Sequence, residues 1–228
     1  MQLTEYVEKF VTKYGVFIGE RKDILPLVKP FIRANQQNEK FWGFIVTDCT
    51  IKIYYSWADY IRSVKFPQNT HATAYYLPQK NRIGIISPTI RKQVHSWNEL
   101  FLHEVNHVYC KHTTTGYVPA WMYEGIAICF EKSYETLDKK RWKQWFFAQK
   151  RKGKSLYFNC NKWRHKNASY YYSASYLVVD FLLRTGGRNK LCSLLKKLPA
   201  YGSHDRVKTI ISKHYSTTWE ELIENAFC

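Results

Sequence analysis

Residues 96–110 read S-W-N-E-L-F-L-H-E-V-N-H-V-Y-C, and the fold has to be built around this stretch. Ser96 is followed three residues later by Glu99, the pattern of a capping box at a helix N-terminus. The apolar-rich residues from Leu100 onward predict that the helix continues to Cys110. His103 and His107 are four residues apart, so a helix places both imidazoles on one face, where they can reach one metal ion.

Glu104 follows the first histidine and completes an H-E-x-x-H motif. At this position a carboxylate lies beside a metal-bound water without being a ligand, as a general base requires. By composition, a chance H-E-x-x-H is expected roughly once in 70 such chains. A structural alternative therefore stays open, in which two histidines are hydrogen-bonded in a helix beside an exposed glutamate.

A catalytic metal needs a third protein ligand, and Glu124 is the candidate. It lies in P-A-W-M-Y-E-G-I-A-I-C-F, an apolar run in which a carboxylate is costly to bury unless it meets a cation. Gly125 allows close approach of a neighbouring helix backbone. The alternatives are an exposed Glu124 on an amphipathic helix, and His112 as a rival third ligand.

The two motifs together, His103-Glu104-x-x-His107 and Trp121-x-x-Glu124-Gly125-x-Ala127, resemble the gluzincin metallopeptidases of the peptidase MA-like type. The resemblance covers about residues 45–226, with specific motifs only at 103–107 and 121–127. It implies one zinc ion per chain, held by the two histidines and Glu124, with Glu104 as general base. It also implies that Tyr172, or its neighbour Tyr171, supplies a hydroxyl to the oxyanion.

One departure from the family concerns the residue four positions after the third ligand. Thermolysin-like relatives have an aspartate there, whereas this chain has Ile128. The partner that orients a zinc-binding histidine is therefore unidentified, with Glu131 among the candidates. A metzincin reading fails because Cys110 and Thr113 stand where that family needs glycine and histidine.

The predicted fold class is α+β and zincin-like: a small N-terminal mixed sheet, an active-site helix and a mainly helical C-terminal half. Residues 1–40 are expected to form an N-terminal helical segment, and residues 41–228 the zincin-like domain, with its sheet part at about 41–95 and its helical part at about 96–228. The predicted strands are Phe44–Val46, Ile51–Tyr55 and a hairpin of Ala72–Tyr76 with Arg82–Ile86. The predicted helices are Thr4–Tyr14, Lys22–Arg33 (interrupted by Pro26 and Pro30), Pro119–Lys132, Lys139–Lys150, Tyr171–Arg184, Lys190–Leu198 and Trp219–Ala226.

Composition narrows the class of protein. The chain has 228 residues, 45% of them hydrophobic, with 10 Gly and 7 Pro, which excludes collagen-like and disordered classes. No apolar run reaches the length of a membrane span, and the first residues lack the apolar core of a signal peptide. We therefore expect a cytoplasmic protein whose six scattered cysteines are reduced and mostly buried.

The formal net charge of +17 is concentrated in one place. The stretch 139–166 holds 11 Lys and Arg, no acidic residue and several aromatic residues. Such a stretch is typical of surfaces that bind an anionic partner: nucleic acid, an acidic protein or a membrane surface. A solvated cationic face with inward aromatic residues is the alternative. Two functions follow: a zinc metallopeptidase that cleaves a peptide or protein substrate, and a zincin-fold module that binds through this basic surface.

Overall fold

The protein is described by a computed structural model that covers residues 7–64, 72–91, 96–114, 116–131, 139–151, 168–201 and 203–227. The chain divides into two compact units, Met1–Lys111 and His112–Cys228. The strands are β1 (Glu8–Thr12), β2 (Gly15–Gly19), β3 (Cys49–Tyr54), β4 (Ala74–Leu77) and β5 (Arg82–Ile86). The helices are α1 (Arg21–Trp42), α2 (Trp57–Val64), α3 (Trp97–Thr113), α4 (Ala120–Ile128), α5 (Lys139–Arg151), α6 (Ala168–Lys197), α7 (His204–Tyr215) and α8 (Trp219–Ala226).

The first unit contains a five-stranded mixed sheet in the order β1-β2-β3-β5-β4. Strands β2, β3 and β5 are parallel, and the two edge strands β1 and β4 run antiparallel to their neighbours. The predicted hairpin is confirmed as β4 and β5. Asn81 closes its turn in the left-handed region, with φ of 42°, and accepts a hydrogen bond from the Tyr76 hydroxyl at 2.8 Å.

The predicted helix over Thr4–Tyr14 is wrong, because the described residues of that segment form β1 and the turn into β2. The Thr12 hydroxyl accepts from the backbone N–H of Gly15 at 3.1 Å, which stabilises this turn. Gly15 pairs with Cys49, whose carbonyl oxygen occupies the space that a Cβ would need. The predicted strand Phe44–Val46 is also wrong: those residues form a loop.

Helix α1 is longer than predicted and continuous through Pro26 and Pro30. A proline inside a helix costs about 3 kcal/mol because it removes a hydrogen bond. Burial of one large apolar side chain stabilises by roughly 1.5–3 kcal/mol, so a fully buried helix face offsets this cost. That face consists of Ile24, Leu27, Phe31 and Ala34. Within the expected N-terminal helical segment 1–40, the described residues 7–40 provide two strands and most of α1.

Two contacts fix α3 against its neighbours in the first unit. Phe101 of α3 meets Phe31 of α1 and Phe17 of β2 edge-to-face, with ring centroids 5.5 and 6.5 Å apart. The Asn106 side-chain amide donates to Asn38 Oδ1 of α1 at 3.0 Å, in a fully buried position. Both contacts hold the helix that carries the histidine pair.

In the second unit, α4 packs against α6 and is almost entirely buried. Trp121 of α4 also meets Trp219 of α8, with ring centroids 5.8 Å apart. The two helices predicted over Tyr171–Arg184 and Lys190–Leu198 are halves of α6, which is interrupted at Gly187 with φ of 68° and ψ of 175°. Helices α2 and α7 were not predicted.

The described residues therefore confirm an α+β fold with a small mixed sheet followed by mainly helical structure. Among them, no helix combines the length and apolar character needed to cross a bilayer. Among the described cysteines, Cys49 and Cys110 are buried, and Cys129 and Cys192 are half-buried. Burial raises the pKa of the Cys49 thiol to about 12. Cys160 and Cys228 lie outside the described residues.

Candidate metal centre

The histidine pair lies on one face of α3, as the spacing predicts. The backbone N–H of Glu99 donates to the Ser96 hydroxyl at 3.3 Å, which fixes the start of this helix. The Nε2 atoms of His103 and His107 lie 3.0 Å apart, with the two rings perpendicular. His107 is buried, while His103 is half-buried and remains accessible to solvent. Two imidazole nitrogens therefore point at one place near the surface.

Glu124 lies in the middle of α4 and is half-buried. The residue after it, Gly125, allows α4 to lie directly on the backbone of α6. A Cβ at this position would stand 2.5 Å from the carbonyl oxygen of Ser175. The close helix approach predicted for Gly125 is confirmed, and it determines where α4 holds the carboxylate within the second unit.

The three predicted ligands form a candidate metal-binding group. One ligand atom from each of His103, His107 and Glu124 lies within 4.8 Å of the other two. Around a tetrahedral ion with metal–nitrogen distances of about 2.1 Å, two ligand atoms are about 3.4 Å apart. The 3.0 Å between the imidazole nitrogens is close to this spacing. Two imidazoles and a carboxylate suit a divalent ion of borderline softness, so the residues present fit the group.

Glu104 is buried, with 7% of its surface exposed, on the same helix as the histidines. The negative charge of Glu104 acts on two groups of the first unit, Tyr60 of α2 and Cys49 of β3. Burial raises the pKa of Tyr60, and the negative charge of Glu104 raises it further. The carboxylate of Glu104 contributes in the same direction, as a smaller cause, to the raised pKa of Cys49. A carboxylate in such surroundings has little competing water, which strengthens its interaction with any nearby proton or cation.

Tyr172 and Tyr171, the candidates for an oxyanion-stabilising hydroxyl, lie in the first turns of α6 and are half-buried. Tyr172 stands three residues before Ser175, one helical turn from the point where Gly125 meets α6. Tyr172 is therefore on the stripe of α6 that faces α4. Its catalytic role stays a prediction.

Of the other histidines whose side chains are described, neither His112 nor His214 belongs to this group. His112 is exposed at the end of α3 and does not belong to the three-residue cluster found among the described residues. His214 Nε2 donates to the carbonyl oxygen of Lys190 at 3.0 Å, which is a structural role. His71, His95 and His165 lie outside the described residues, and the His204 side chain does as well.

The residues considered for orienting a histidine lie at the end of α4. Ile128 is buried and apolar, and Glu131 is half-buried just beyond the helix.

The residues that hold the histidine helix in place are not apparent from the sequence. Asn38 Oδ1 accepts hydrogen bonds from two buried donors, the Asn106 amide at 3.0 Å and the Trp42 indole at 3.2 Å. The one sequence feature that indicates such a partner is Asn106, a polar residue in the apolar-rich run of α3. Its partners are more than sixty residues earlier in the chain, and spacing does not reveal them.

Comparison with known proteins adds no assignment: neither a protein-family model nor a curated protein sequence matches the chain. The local motifs and the geometry of the three ligand atoms therefore carry the interpretation of this site.

Proposed function

We propose that this protein is a zinc-dependent metallopeptidase of the gluzincin type, with a zincin-like fold. The observation that supports the proposal is the convergence of the His103, His107 and Glu124 ligand atoms within 4.8 Å. Two imidazoles and a carboxylate are a ligand set of catalytic zinc sites, which have three protein ligands and an open fourth position. A purely structural site uses a fourth protein ligand instead.

Zinc, when bound, lowers the pKa of a coordinated water and polarises a carbonyl oxygen. The two imidazoles and the Glu124 carboxylate hold the ion. Glu104 accepts a proton from the attacking water and delivers it to the leaving amine. Its burial suits this role, because a general base with little competing water binds the reacting proton strongly. Tyr172 is proposed to donate its hydroxyl hydrogen to the developing oxyanion.

The first test measures metal content after gentle purification and zinc resupply. We expect about one zinc per chain. His107→Ala and Glu124→Gln are expected to lose most of this zinc, because each removes a ligand. His112→Ala is the matched control: it removes an exposed histidine from the same helix and is expected to keep the metal. Zinc content near zero in the wild type, or equal loss in His112→Ala, contradicts the proposal.

The second test separates binding from turnover. Glu104→Gln is expected to retain zinc but to lose peptidase activity on a peptide library by a factor of about 100 or more, because amides are poor bases. Glu99→Gln, which removes the same charge five residues earlier on α3, is expected to retain both zinc and activity. Removal of zinc by a chelator is expected to abolish cleavage, and its return to restore it. Full activity in Glu104→Gln would refute its role as general base.

A further inference from the structure

The α5 face, defined as Lys140, Gln144, Phe147 and Arg151, includes none of the proposed metal ligands. These four residues are spaced by four, three and four positions, so they form one stripe along the helix. Lys140, Gln144 and Arg151 are exposed, and Phe147 is half-buried. A stripe with this spacing is normally apolar and faces a core, whereas here it carries charge at both ends.

The opposite side of α5 is the side that packs. Phe146 is 4% exposed and stacks on Phe227, with ring centroids 4.3 Å apart and planes 11° from parallel. Phe147 contacts Phe146 edge-to-face at 5.2 Å, so its ring is held by packing while part of it stays accessible. This arrangement fixes which side of α5 faces outward.

The charge of α5 is entirely positive. Its thirteen residues, KKRWKQWFFAQKR, include six Lys and Arg and no acidic residue. Lys140 and Arg151 are eleven residues apart, which is about 16 Å along a helix. Several nucleotides of an extended strand cover this distance, and an aromatic ring lies between the two cations. The basic stretch predicted over 139–166 continues beyond Arg151 into residues outside the described ranges.

We propose that the α5 face binds single-stranded nucleic acid, with Lys140 and Arg151 contacting phosphates and Phe147 stacking under a base. An acidic polypeptide would match the cations equally well but has no planar base to place on Phe147. Single-strand binders combine these two elements: a cationic surface that follows the backbone and an aromatic ring for stacking. This binding goes beyond the proposed peptidase activity and stands independently of it.

The test uses the full chain and a labelled oligothymidylate of about 20 nucleotides, with affinity measured by fluorescence anisotropy at several salt concentrations. Each lost phosphate contact reduces the slope of log affinity against log salt by about 0.7 for a single strand. The double variant Lys140→Gln/Arg151→Gln is therefore expected to reduce the slope by about 1.4. Arg206→Gln/Lys213→Gln on α7 removes the same charge from exposed positions and is expected to leave the slope unchanged.

A second variant tests stacking independently of charge. Phe147→Leu keeps an apolar side chain against Phe146 and is expected to weaken binding at least about fivefold without changing the salt slope. Tyr201→Leu, at an aromatic residue that is 90% exposed, is the control and is expected to have no effect. Absent binding, equal slope changes in the two double variants, or unchanged affinity in Phe147→Leu would each overturn the proposal. Displacement of the oligonucleotide by polyglutamate of equal charge would also overturn it and would indicate an acidic polypeptide partner.

Discussion

Gly125→Ala tests how closely α4 and α6 pack beside the proposed ligand Glu124. The added methyl would lie 2.5 Å from the carbonyl oxygen of Ser175 and 2.7 Å from Val179 Cγ2. Such overpacking costs typically about 1–3 kcal/mol, and the upper end applies because a helix backbone cannot move away easily. Alanine is favoured over glycine in a helix by about 1 kcal/mol. The expected net loss in the free energy of unfolding is therefore about 2 kcal/mol.

The assay is urea unfolding followed by circular dichroism, with a double-mutant cycle as the control. Val179→Ala removes the Cγ2 atom and is expected to relieve part of the overlap, so its effect and that of Gly125→Ala will not be additive. Ser175→Ala lies on the same helix face but leaves the clashing carbonyl oxygen in place, so it is expected to be additive. If the Gly125→Ala variant has the same free energy of unfolding as the wild type, or a higher one, the packing argument is refuted.

Two further predictions concern local hydrogen bonds. The Thr218 backbone N–H donates a hydrogen bond to the Glu221 carboxylate at 3.0 Å, and this bond is the main cause that lowers the pKa of Glu221. Glu221→Gln is therefore expected to reduce the free energy of unfolding near neutral pH. Because folding lowers the pKa of Glu221, the charged carboxylate stabilises the protein at pH values above its ordinary pKa. This stabilisation is lost as the pH falls through the lowered pKa, so the acid-unfolding curves of the variant and the wild type are expected to converge there. Asn38→Ala leaves two buried donors, on Asn106 and Trp42, without their acceptor and is expected to cost about 2–4 kcal/mol in urea unfolding.

Controls for these predictions lie on the same helices. Glu220→Gln removes an exposed charge from the first turn of α8 without touching the cap, and a pH dependence equal to that of Glu221→Gln would argue against the capping explanation. Gln37→Ala changes an exposed residue next to Asn38, and an equal loss of stability there would argue against the buried network.

The sequence predicted the elements whose signals are local. The start of α3 is predictable because Ser96 and Glu99 are only three residues apart. The β4–β5 hairpin is predictable from the turn between a tyrosine-containing run and an isoleucine-rich run. The three candidate ligand residues are predicted from spacing and from the cost of placing Glu124 in an apolar run. Each of these inferences needs only neighbours along the chain or general chemistry.

Other features depended on partners distant in sequence. The segment around Thr12 has a helical spacing of apolar residues, yet it forms a hairpin because β2 pairs with β3, more than thirty residues later. Likewise, α1 continues through Pro26 and Pro30 because its apolar face is buried by other elements, which a propensity scale does not contain. The acceptor Asn38 was invisible for the same reason.

By itself, the sequence determined the chemistry available: two imidazoles at helical spacing, a neighbouring carboxylate and one more in an apolar run. Only the tertiary structure decided that the distant Glu124 carboxylate comes within 4.8 Å of the histidine nitrogens. The physical reason is that helical periodicity fixes distances over a few residues, whereas a separation of seventeen positions is set by packing. Within the second unit, the missing side chain of Gly125 lets α4 lie on the backbone of α6 and so fixes where α4 holds the Glu124 carboxylate.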